Sequence, residues 1–338
     1  MYSFRNDYSE GAHPAVLKLL QETNFEQSPG YGEDIYCLKA KELIRQEIKR
    51  KDADIHFICG GTQANLLAIS AALRPHEAVI AAETGHICVH EAGAIESTGH
   101  KIIMSATPDG KLTPELILPL IKSHTSCHMV KPRLVFISNS TEMGTVYDAD
   151  EIKELHAFCR EHDLLLYLDG ARLGTALTVA NIQLTLADIA AYTDCFYIGG
   201  TKNGALLGEA MVITHPAFKY DFDYQMKQKG ALMAKGRLLG LQFLALFTDG
   251  LYYDNARHAN EQAQRLKQGI KDYGYPMISD SPTNQLFVSL PQPLATRIIE
   301  KYPCELIQEA PDELVVRFVT SWATQAQAVD ALLADLGL

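Results

Sequence analysis

The sequence predicts an α/β fold whose mostly parallel central sheet is covered by helices on both faces, followed by a smaller C-terminal α/β domain. The first observation is an alternation of short apolar runs with helical patterns, which is typical of parallel strands joined by crossover helices; the runs lie at 55–58, 78–82, 101–104, 134–138 and 164–169. The second is a further pair of apolar runs, at 196–199 and 210–214, that completes the sheet. The third is a separate set of short apolar runs near the C-terminus, at 286–290, 306–308 and 314–320.

The length of 338 residues allows a large core and more than one domain. We predict an N-terminal arm and helix over residues 1–50, a large domain over 51–250 and a small C-terminal domain over 251–338. Within this division, the apolar spacing predicts helices at 13–23, 35–51 and 87–97, and a long helical stretch at 230–271 that would link the two domains.

Composition excludes several classes of partner. The net charge of −11 argues against binding to nucleic acid or to anionic surfaces. Seven scattered cysteines without a CxxC pair favour free thiols in a reducing cytosol. The first residues contain no apolar signal core, and no apolar run is long enough to span a bilayer. We therefore expect a cytoplasmic protein with no membrane or nucleic-acid partner.

A lysine follows the apolar run at 195–198, in the sequence Gly-Gly-Thr-Lys-Asn-Gly at 199–204. Glycines allow the backbone to turn tightly and to bring a side chain against a ligand. Lys202 held there can lose hydration, which lowers its pKa as an imine-forming amine requires. The alternative is a solvated lysine in an ordinary turn.

Two upstream motifs strengthen the ligand-binding interpretation. Asp169 ends the apolar run at 164–168, and the carboxyl ends of parallel strands face the crevice in which open α/β sheets bind ligands. Gly61 and Thr62 follow another strand and begin a helical pattern, which is the local geometry of a phosphate site. The alternatives are a turn or cap role for Asp169 and a plain N-cap for Thr62. A dinucleotide site is disfavoured because the G-x-G-x-x-G pattern is absent.

A phosphate-binding helix start, a carboxylate for a pyridinium nitrogen and a reactive lysine are the parts of a pyridoxal 5'-phosphate (PLP) site. In these residues the chain resembles the low-specificity threonine aldolase and aromatic amino acid β-eliminating lyase family of fold-type I PLP enzymes. The matching motifs occur in the family's order and span nearly the whole chain: Tyr31-Gly32-Glu33-Asp34, Gly61-Thr62-Gln63-Ala64-Asn65, His86 with Glu91-Ala92-Gly93, Asp169-Gly170-Ala171-Arg172, Thr201-Lys202 and Val316-Arg317-Phe318-Val319-Thr320.

The resemblance implies an aspartate aminotransferase-like architecture and PLP as the cofactor. It also implies cleavage of a β-hydroxy-α-amino acid, of the threonine or allo-threonine type, to glycine and an aldehyde. Another PLP-dependent lyase that performs β-elimination, or a transferase acting on an amino acid, is the alternative, and a PLP-binding protein without turnover is a third possibility. A homodimer or homotetramer is expected, in which Tyr31 reaches the phosphate in the neighbouring subunit's pocket.

The resemblance also assigns roles to residues of the large domain. Lys202 would carry the cofactor, Asp169 would face its ring nitrogen, and Gly61 and Thr62 would bind its phosphate. His86 would stack on the ring and also reach the β-hydroxyl of the substrate.

Two arginines are candidates for binding the substrate carboxylate, because a guanidinium group offers a carboxylate two parallel hydrogen bonds. Arg172 follows the Asp169 motif, and Arg317 lies in an otherwise apolar strand. The resemblance supports this role for both residues. For Arg317 the alternative is a salt bridge within the fold, since a core arginine requires a partner.

Three positions depart from the common family pattern. Glu142 stands where many relatives have histidine, and we expect it to help hold or deprotonate the substrate's β-hydroxyl. Asn6, expected to bind substrate, stands where the family has serine before aspartate, and no phosphate-binding arginine is identifiable in 229–236. His86 and His90 are four residues apart, but no third ligand can be named, so no metal site is expected.

Overall fold

A computed structural model of the protein describes residues 2–337. Its strands are β1 (Asp54–Ile58), β2 (Glu77–Ala82), β3 (Lys101–Ser105), β4 (Lys131–Ser138), β5 (Leu165–Asp169), β6 (Cys195–Gly199), β7 (Glu209–Ile213), β8 (Gln285–Pro291), β9 (Glu305–Glu309) and β10 (Glu313–Val319). Each apolar run that the sequence predicts to be a strand is a strand in the structure.

The helices cover the sheets and connect the strands. They are α1 (Pro14–Glu22), α2 (Ile35–Ile48), α3 (Gly61–Ala72), α4 (His86–Val89), α5 (Pro114–Ser123), α6 (Ala149–Glu161), α7 (Leu173–Leu177), α8 (Leu186–Tyr192), α9 (Pro216–Lys219), α10 (Phe222–Gln228), α11 (Arg237–Phe247), α12 (Leu251–Asp272), α13 (Gln292–Lys301) and α14 (Ala326–Leu336). No helix between residues 2 and 337 is both long and apolar enough to cross a membrane.

The large sheet has seven strands in the order β1-β7-β6-β5-β4-β2-β3. Strands β2 to β6 pair in parallel, whereas β7 is antiparallel to both β1 and β6. Parallel pairing places the carboxyl ends of β4, β5 and β6 at one edge of the sheet, where Ser138 is in register with Asp169. Antiparallel pairing brings Glu209, the first residue of β7, opposite Gly199, the last residue of β6. These strand ends position the candidate site.

Helices cover both faces of the large sheet, so its central strands are buried on both sides, as parallel sheets usually are. One face packs on a cluster that contains Ile44 of α2, Leu155 of α6 and Phe243 of α11. The opposite face packs on a second cluster, which includes Leu67 of α3 and Phe218 of α9. The predicted fold class is therefore confirmed by the arrangement of the layers.

A second sheet, with strand order β8-β10-β9, is antiparallel and packs with helices α12, α13 and α14. Phe4 from the N-terminal arm is fully buried in this smaller core. Its backbone N–H donates to Pro303 O (2.8 Å), and its carbonyl accepts from Val319 N (2.8 Å). The first residues are thus tied to the C-terminal sheet. Residues 1–50, 51–250 and 251–338 remain our proposed division of the chain.

Two helix predictions were wrong in extent. The segment predicted as one helix at 87–97 contains only α4 and a 3₁₀ turn at Glu96–Thr98, because Ala92 (φ 50°) and Gly93 (φ 73°) adopt left-handed conformations. The stretch at 230–271 is divided between α11 and α12 by Asp249 (φ 53°) and Gly250 (φ 75°) for the same reason.

Candidate active site

The carboxyl ends of β4, β5 and β6 open onto a cavity of about 330 Å³. The lining includes seven residues that the sequence analysis names as site candidates: Gly61, Thr62, His86, Glu142, Asp169, Arg172 and Lys202. Three other candidates, Asn6, Tyr31 and Arg317, are not in its lining. The structure therefore gathers most of the predicted site in one place within a single chain.

Asp169 and Lys202 line the same cavity, and the chain segments that hold them, β5 and β6, approach each other very closely. A Cβ atom on Gly170 would lie 1.8 Å from the carbonyl oxygen of Tyr197, a distance that no side chain can adopt. Glycine is therefore required immediately after Asp169. Its absent side chain allows the Asp169 turn to pack against the strand that leads to the lysine loop.

Asp169 is buried, and three donors hold its carboxylate. Oδ1 accepts hydrogen bonds from the Tyr197 hydroxyl (2.5 Å) and from Ala171 N (3.0 Å), while Oδ2 accepts from Asn65 Nδ2 (2.9 Å). An ionised carboxylate only accepts hydrogen bonds, so three donors are a matched set for it. The arrangement fixes a negative charge at the cavity wall.

His86 is joined to the same network through Glu91. Nδ1 of His86 lies 2.8 Å from Glu91 Oε1, and Asn65 Nδ2 also donates to that oxygen (2.7 Å). The Tyr167 hydroxyl in turn donates to Asn65 Oδ1 (3.0 Å). Because Glu91 engages Nδ1, the other ring nitrogen, Nε2, is left to interact with a ligand in the cavity.

Lys202 lies in the turn that follows β6, with Nζ 6.0 Å from the centroid of the Tyr8 ring. Burial and the positive charge of Arg172 lower the pKa of the Lys202 amine, while Asp7, Asp169 and Glu209 oppose this effect. A lowered pKa increases the fraction of neutral amine, which is the form that attacks an aldehyde. The surroundings of Lys202 thus match the reactive lysine that the sequence predicts.

Arg172 forms a two-pronged ion pair with Asp7 of the N-terminal arm. Nε and Nη2 of Arg172 donate to the Asp7 carboxylate at 2.7 and 3.1 Å, and Asn284 Nδ2 donates to Asp7 Oδ2 at 2.9 Å. Burial disfavours the charge on Asp7, but Arg172 and Lys202 together hold the pKa of this carboxyl below its usual value. The remaining nitrogen, Nη1, is the one left for a ligand, and binding of the substrate carboxylate by Arg172 stays a prediction.

Arg317 and Asn6 make other contacts. Arg317, in β10, pairs through Nη2 with Glu305 of β9, as the salt-bridge alternative anticipates. Burial and the positive charge of Arg172 lower the pKa of Arg317, so the two guanidinium groups influence each other. Asn6 accepts hydrogen bonds from Tyr8 N (3.0 Å) and Ser9 Oγ (2.9 Å) through Oδ1, which makes it a turn residue. Substrate contacts by Arg317 and Asn6 stay predictions.

Glu142 lies on the cavity wall beside His86. Its Oε1 accepts hydrogen bonds from His86 N (2.9 Å) and from Ser138 Oγ (2.8 Å). Burial and the negative charge of Asp169 raise the pKa of Glu142. A carboxylate with a raised pKa is a stronger base than an exposed one, so the position of Glu142 suits proton transfer.

Helix α3 begins at the cavity, with Gly60, Gly61 and Thr62 in its lining. Its N-cap residue is Gly60, and no side chain caps the helix start. Free N–H groups and the positive end of the helix dipole favour a phosphate at this place. With Asp169 and Lys202 in the same cavity, these residues fit PLP: the helix start would hold its phosphate, Asp169 its ring nitrogen and Lys202 its aldehyde carbon.

Tyr31 is half-exposed and lies in a different groove, beside Met233 and Gly236. Its ring centroid is 4.9 Å from Lys227 Nζ. Within one chain, therefore, Tyr31 does not line the cavity that contains Lys202.

Several residues of the site were missed by the sequence analysis. Asp7 pairs with Arg172 across 165 residues, which no local pattern indicates. Tyr197 lies within an apolar strand, and Asn65 is a buried polar residue on the otherwise apolar face of α3. Glu209 begins an otherwise apolar strand. A single acidic residue in a buried strand is unusual, so the sequence could have indicated Glu209 as a site candidate. Within residues 2–337, no group of three or more His, Cys, Asp or Glu residues could hold a metal ion.

Comparison with known proteins gives the family. The sequence model of the beta-eliminating lyases matches residues 4–292. The chain belongs to the beta-eliminating lyase family. The chain is also 33% identical to a low-specificity L-threonine aldolase from Pseudomonas aeruginosa, over 99% of its own length and 97% of the relative's.

Solved structures with a similar backbone agree with the fold. A threonine aldolase from Leishmania major is 46% identical and superposes with a TM-score of 0.98, covering 99% of this chain and 98% of that one. An aspartate aminotransferase from Thermus thermophilus is only 15% identical but superposes with a TM-score of 0.74, covering 99% and 90%. The predicted aspartate aminotransferase-like, fold-type I architecture of this beta-eliminating lyase family member is thus confirmed.

Proposed function

We propose that the protein is a PLP-dependent carbon–carbon lyase that cleaves a β-hydroxy-α-amino acid of the threonine or allo-threonine type to glycine and an aldehyde. The observation that carries this proposal is the convergence of Lys202, Asp169 and His86 on one cavity at the uncapped start of α3. The relatives from Pseudomonas aeruginosa and Leishmania major, which are named threonine aldolases and match almost the whole chain, support it.

Each residue that would hold the cofactor interacts with a different part of it. When bound, PLP supplies an aldehyde that links to amines and a ring that accepts electrons from a bond being broken. Lys202 would hold the aldehyde carbon. Asp169 would keep a proton on the ring nitrogen, because its fixed negative charge favours the protonated form. The N–H groups at Gly61 and Thr62 and the Thr62 hydroxyl would hold the phosphate.

The substrate's β-hydroxyl must lose its proton as the bond between Cα and Cβ breaks. His86 is one candidate base, with Nδ1 fixed by Glu91 and Nε2 left for the substrate. Glu142 is the other, with a carboxylate positioned by His86 N and Ser138 Oγ. Both side chains line the same cavity as Lys202. Arg172 orients the substrate by pairing with its carboxylate.

A panel of β-hydroxy-α-amino acids incubated with the PLP-loaded protein tests the function directly. We expect stoichiometric release of glycine and the matching aldehyde from threonine or allo-threonine. Release of ammonia and a keto acid would instead favour the β-eliminating alternative. Amino-group transfer to a keto acid would favour a transferase. No turnover of any amino acid would contradict the proposed lyase activity and both of these alternatives.

Replacing Glu142 with glutamine tests its role as a base. Because glutamine cannot take up the hydroxyl proton, we expect kcat/KM for β-hydroxy amino acids to fall at least about tenfold, or about 1.4 kcal/mol. A carboxylate base works only when ionised, so activity should fall as pH drops through the Glu142 pKa. Since that pKa is raised, the loss should begin above the usual carboxyl range near about 4.3.

The control for this experiment is Glu154→Gln, which removes an exposed carboxylate on α6. The pH limb assigned to Glu142 should remain in the control and disappear from Glu142→Gln. If kcat/KM of Glu142→Gln stays within about twofold of the wild type, Glu142 takes no part in the reaction. When ionised, Glu142 should also repel substrates with acidic side chains from the cavity.

We propose that the protein is a homodimer or homotetramer in which Tyr31 contributes to the neighbouring subunit's site. Large apolar side chains are exposed along the segment that contains it, and burial against a second copy would remove them from water: Phe25 (96% exposed), Tyr31 (49%), Ile35 (52%) and Leu38 (52%). Light scattering at assay concentration should therefore give at least a dimer. An active monomer would contradict the shared site.

A cytoplasmic location is part of the same proposal. All seven cysteines are free thiols in the structure, which suits a reducing compartment.

A further inference from the structure

Asn65 is a buried amide that contacts two carboxylates at once. It lies in the second turn of α3, and no part of it is exposed to solvent. Its Nδ2 donates to Glu91 Oε1 (2.7 Å) and to Asp169 Oδ2 (2.9 Å). Because both bonds leave the same nitrogen, the two acceptor oxygens lie no farther apart than two hydrogen bonds placed end to end.

Three contacts fix the orientation of the Asn65 amide. A side-chain amide has two N–H donors on its nitrogen and an oxygen that only accepts. The two carboxylates use both donors, and the oxygen accepts from the Tyr167 hydroxyl (3.0 Å). The reversed amide would place its oxygen against two other acceptors. Both N–H groups of Asn65 are therefore directed at carboxylates.

Glu91 and Asp169 are close together, buried and of the same charge type. The Glu91 side chain has no exposed surface, and Asp169 is also buried, so water does little to screen their repulsion. A like charge nearby normally causes one of two carboxyl groups to keep its proton, whereas hydrogen bonds to the ionised form have the opposite effect. The N–H groups of Asn65 are placed where they stabilise both charges together.

Glu91 depends on Asn65 more strongly than Asp169 does. Asp169 has two further donors, whereas the other partner of Glu91 Oε1 is Nδ1 of His86. Within residues 2–337, Glu91 Oε2 is buried and has no hydrogen-bond partner. The other titratable groups that face the two carboxylates are His86, Cys88, Glu142, Tyr167, Tyr197, Lys202 and Glu209.

We propose that Asn65 is a positioning residue that keeps the carboxylates of Glu91 and Asp169 ionised side by side. The ionised Glu91 then orients His86, and the ionised Asp169 is available to the ring nitrogen of the cofactor. Without the two N–H groups of Asn65, the pair of carboxylates would take up one proton. This inference rests on the proposed function for what His86 and Asp169 do in the reaction, but not for the ionisation of the pair.

Asn65→Leu tests the proposal in the full-length protein without cofactor, because leucine is similar in size to asparagine but has no side-chain N–H groups. We expect infrared difference spectra against the wild type near neutral pH to show a new carboxylic acid band. Acid groups that are protonated in both proteins cancel in the difference, and isotopic labelling of aspartate or glutamate assigns the band to one residue type. A folded Asn65→Leu without such a band would overturn the proposal.

The pH dependence of stability gives a second readout with a defined sign. A carboxyl group that binds its proton more tightly in the folded state than in the unfolded state contributes stability that is lost as pH rises. The unfolding temperature of Asn65→Leu should therefore lie farther below that of the wild type at about pH 8 than at about pH 5, by at least about 2 °C. A gap of the same size at both pH values would contradict the proposed role.

Asn260→Leu is the matched control, because it makes the same substitution at another buried asparagine. Asn260 Nδ2 donates to Thr175 O (2.8 Å) and Thr178 Oγ1 (3.0 Å), neither of which is a carboxylate. This variant should lose the same stability at both pH values and show no new acid band. An acid band as large as that of Asn65→Leu would reject the proposal, since it would not depend on the carboxylate pair.

Removing one of the two charges should rescue Asn65→Leu. When Glu91→Gln is added, a single carboxylate remains, so the acid band should disappear and the unfolding temperature at about pH 8 should rise. If Asn65→Leu alone does not fold, folding of the double variant supports the proposal, and a double variant that shows no recovery overturns it. A wild type without lyase activity would reject the proposed function, while these measurements, which need no cofactor, would still decide the role of Asn65.

Discussion

Replacing Lys202 with alanine is expected to abolish the lyase activity, with a loss of more than about a thousandfold in kcat, over 4 kcal/mol. The physical reason is that, among residues 2–337, Lys202 supplies the one amine in the lining of the cavity, so the cofactor aldehyde would lose its covalent partner. Purified wild-type protein should be yellow with bound PLP, and borohydride should attach the cofactor permanently to the peptide that contains Lys202.

The control is Lys153→Ala, which removes an exposed lysine on α6 and should leave colour, labelling and turnover unchanged. A cofactor label on any lysine other than Lys202 would reject the assignment. Retention of more than about one tenth of wild-type activity in Lys202→Ala would reject it as well.

Replacing Asp169 should separate binding of PLP from its use. In Asp169→Ala, we expect PLP to remain bound while kcat falls by at least about a hundredfold, near 2.7 kcal/mol, because the ring nitrogen loses the charge that keeps it protonated. The substitution also leaves the Tyr197 hydroxyl and one Asn65 donor without their acceptor, at a cost of about 1–3 kcal/mol of stability for each buried group.

Asp169→Asn distinguishes these two effects, since the amide retains the shape and part of the hydrogen bonding but not the charge. It should be nearly as inactive as Asp169→Ala and more stable in thermal unfolding. Asp194→Asn is the matched control, because Asp194 is equally buried but pairs with Arg160 at the opposite end of β6. That variant should lose stability and keep kcat, and near-normal turnover in Asp169→Asn would contradict the proposed role.

The strands and their functional ends could be predicted from sequence because the signal is local. Central strands covered on both faces read as unbroken apolar runs, and a polar residue directly after such a run falls at the ligand-binding edge. Asp169 follows this rule, Lys202 comes three residues after the end of β6, and both line the cavity. The resemblance to the family added His86 and Glu142, which the structure places side by side.

The remaining partners depend on contacts that no local pattern encodes. The ion pair between Asp7 and Arg172 joins residues far apart in the chain. The pair between Arg317 and Glu305 depends on the register of β9 against β10, which changes at an irregularity between Val315 and Val316. The sequence also gives no indication of the left-handed backbone at Ala92, because alanine normally favours a helix. Long-range pairing and backbone geometry therefore limited the prediction.

The N-terminal arm connects the small sheet to Arg172, the residue proposed to bind the substrate carboxylate. Phe4 is fixed in the core of the small sheet, and Asp7, three residues later, is bound both to Arg172 and to Asn284, which immediately precedes β8. Because only two residues separate Phe4 from Asp7, a displacement of the small sheet relative to the large one would also displace the Arg172 guanidinium. The position of the Arg172 guanidinium is thus coupled to that of the small sheet through the four residues from Phe4 to Asp7.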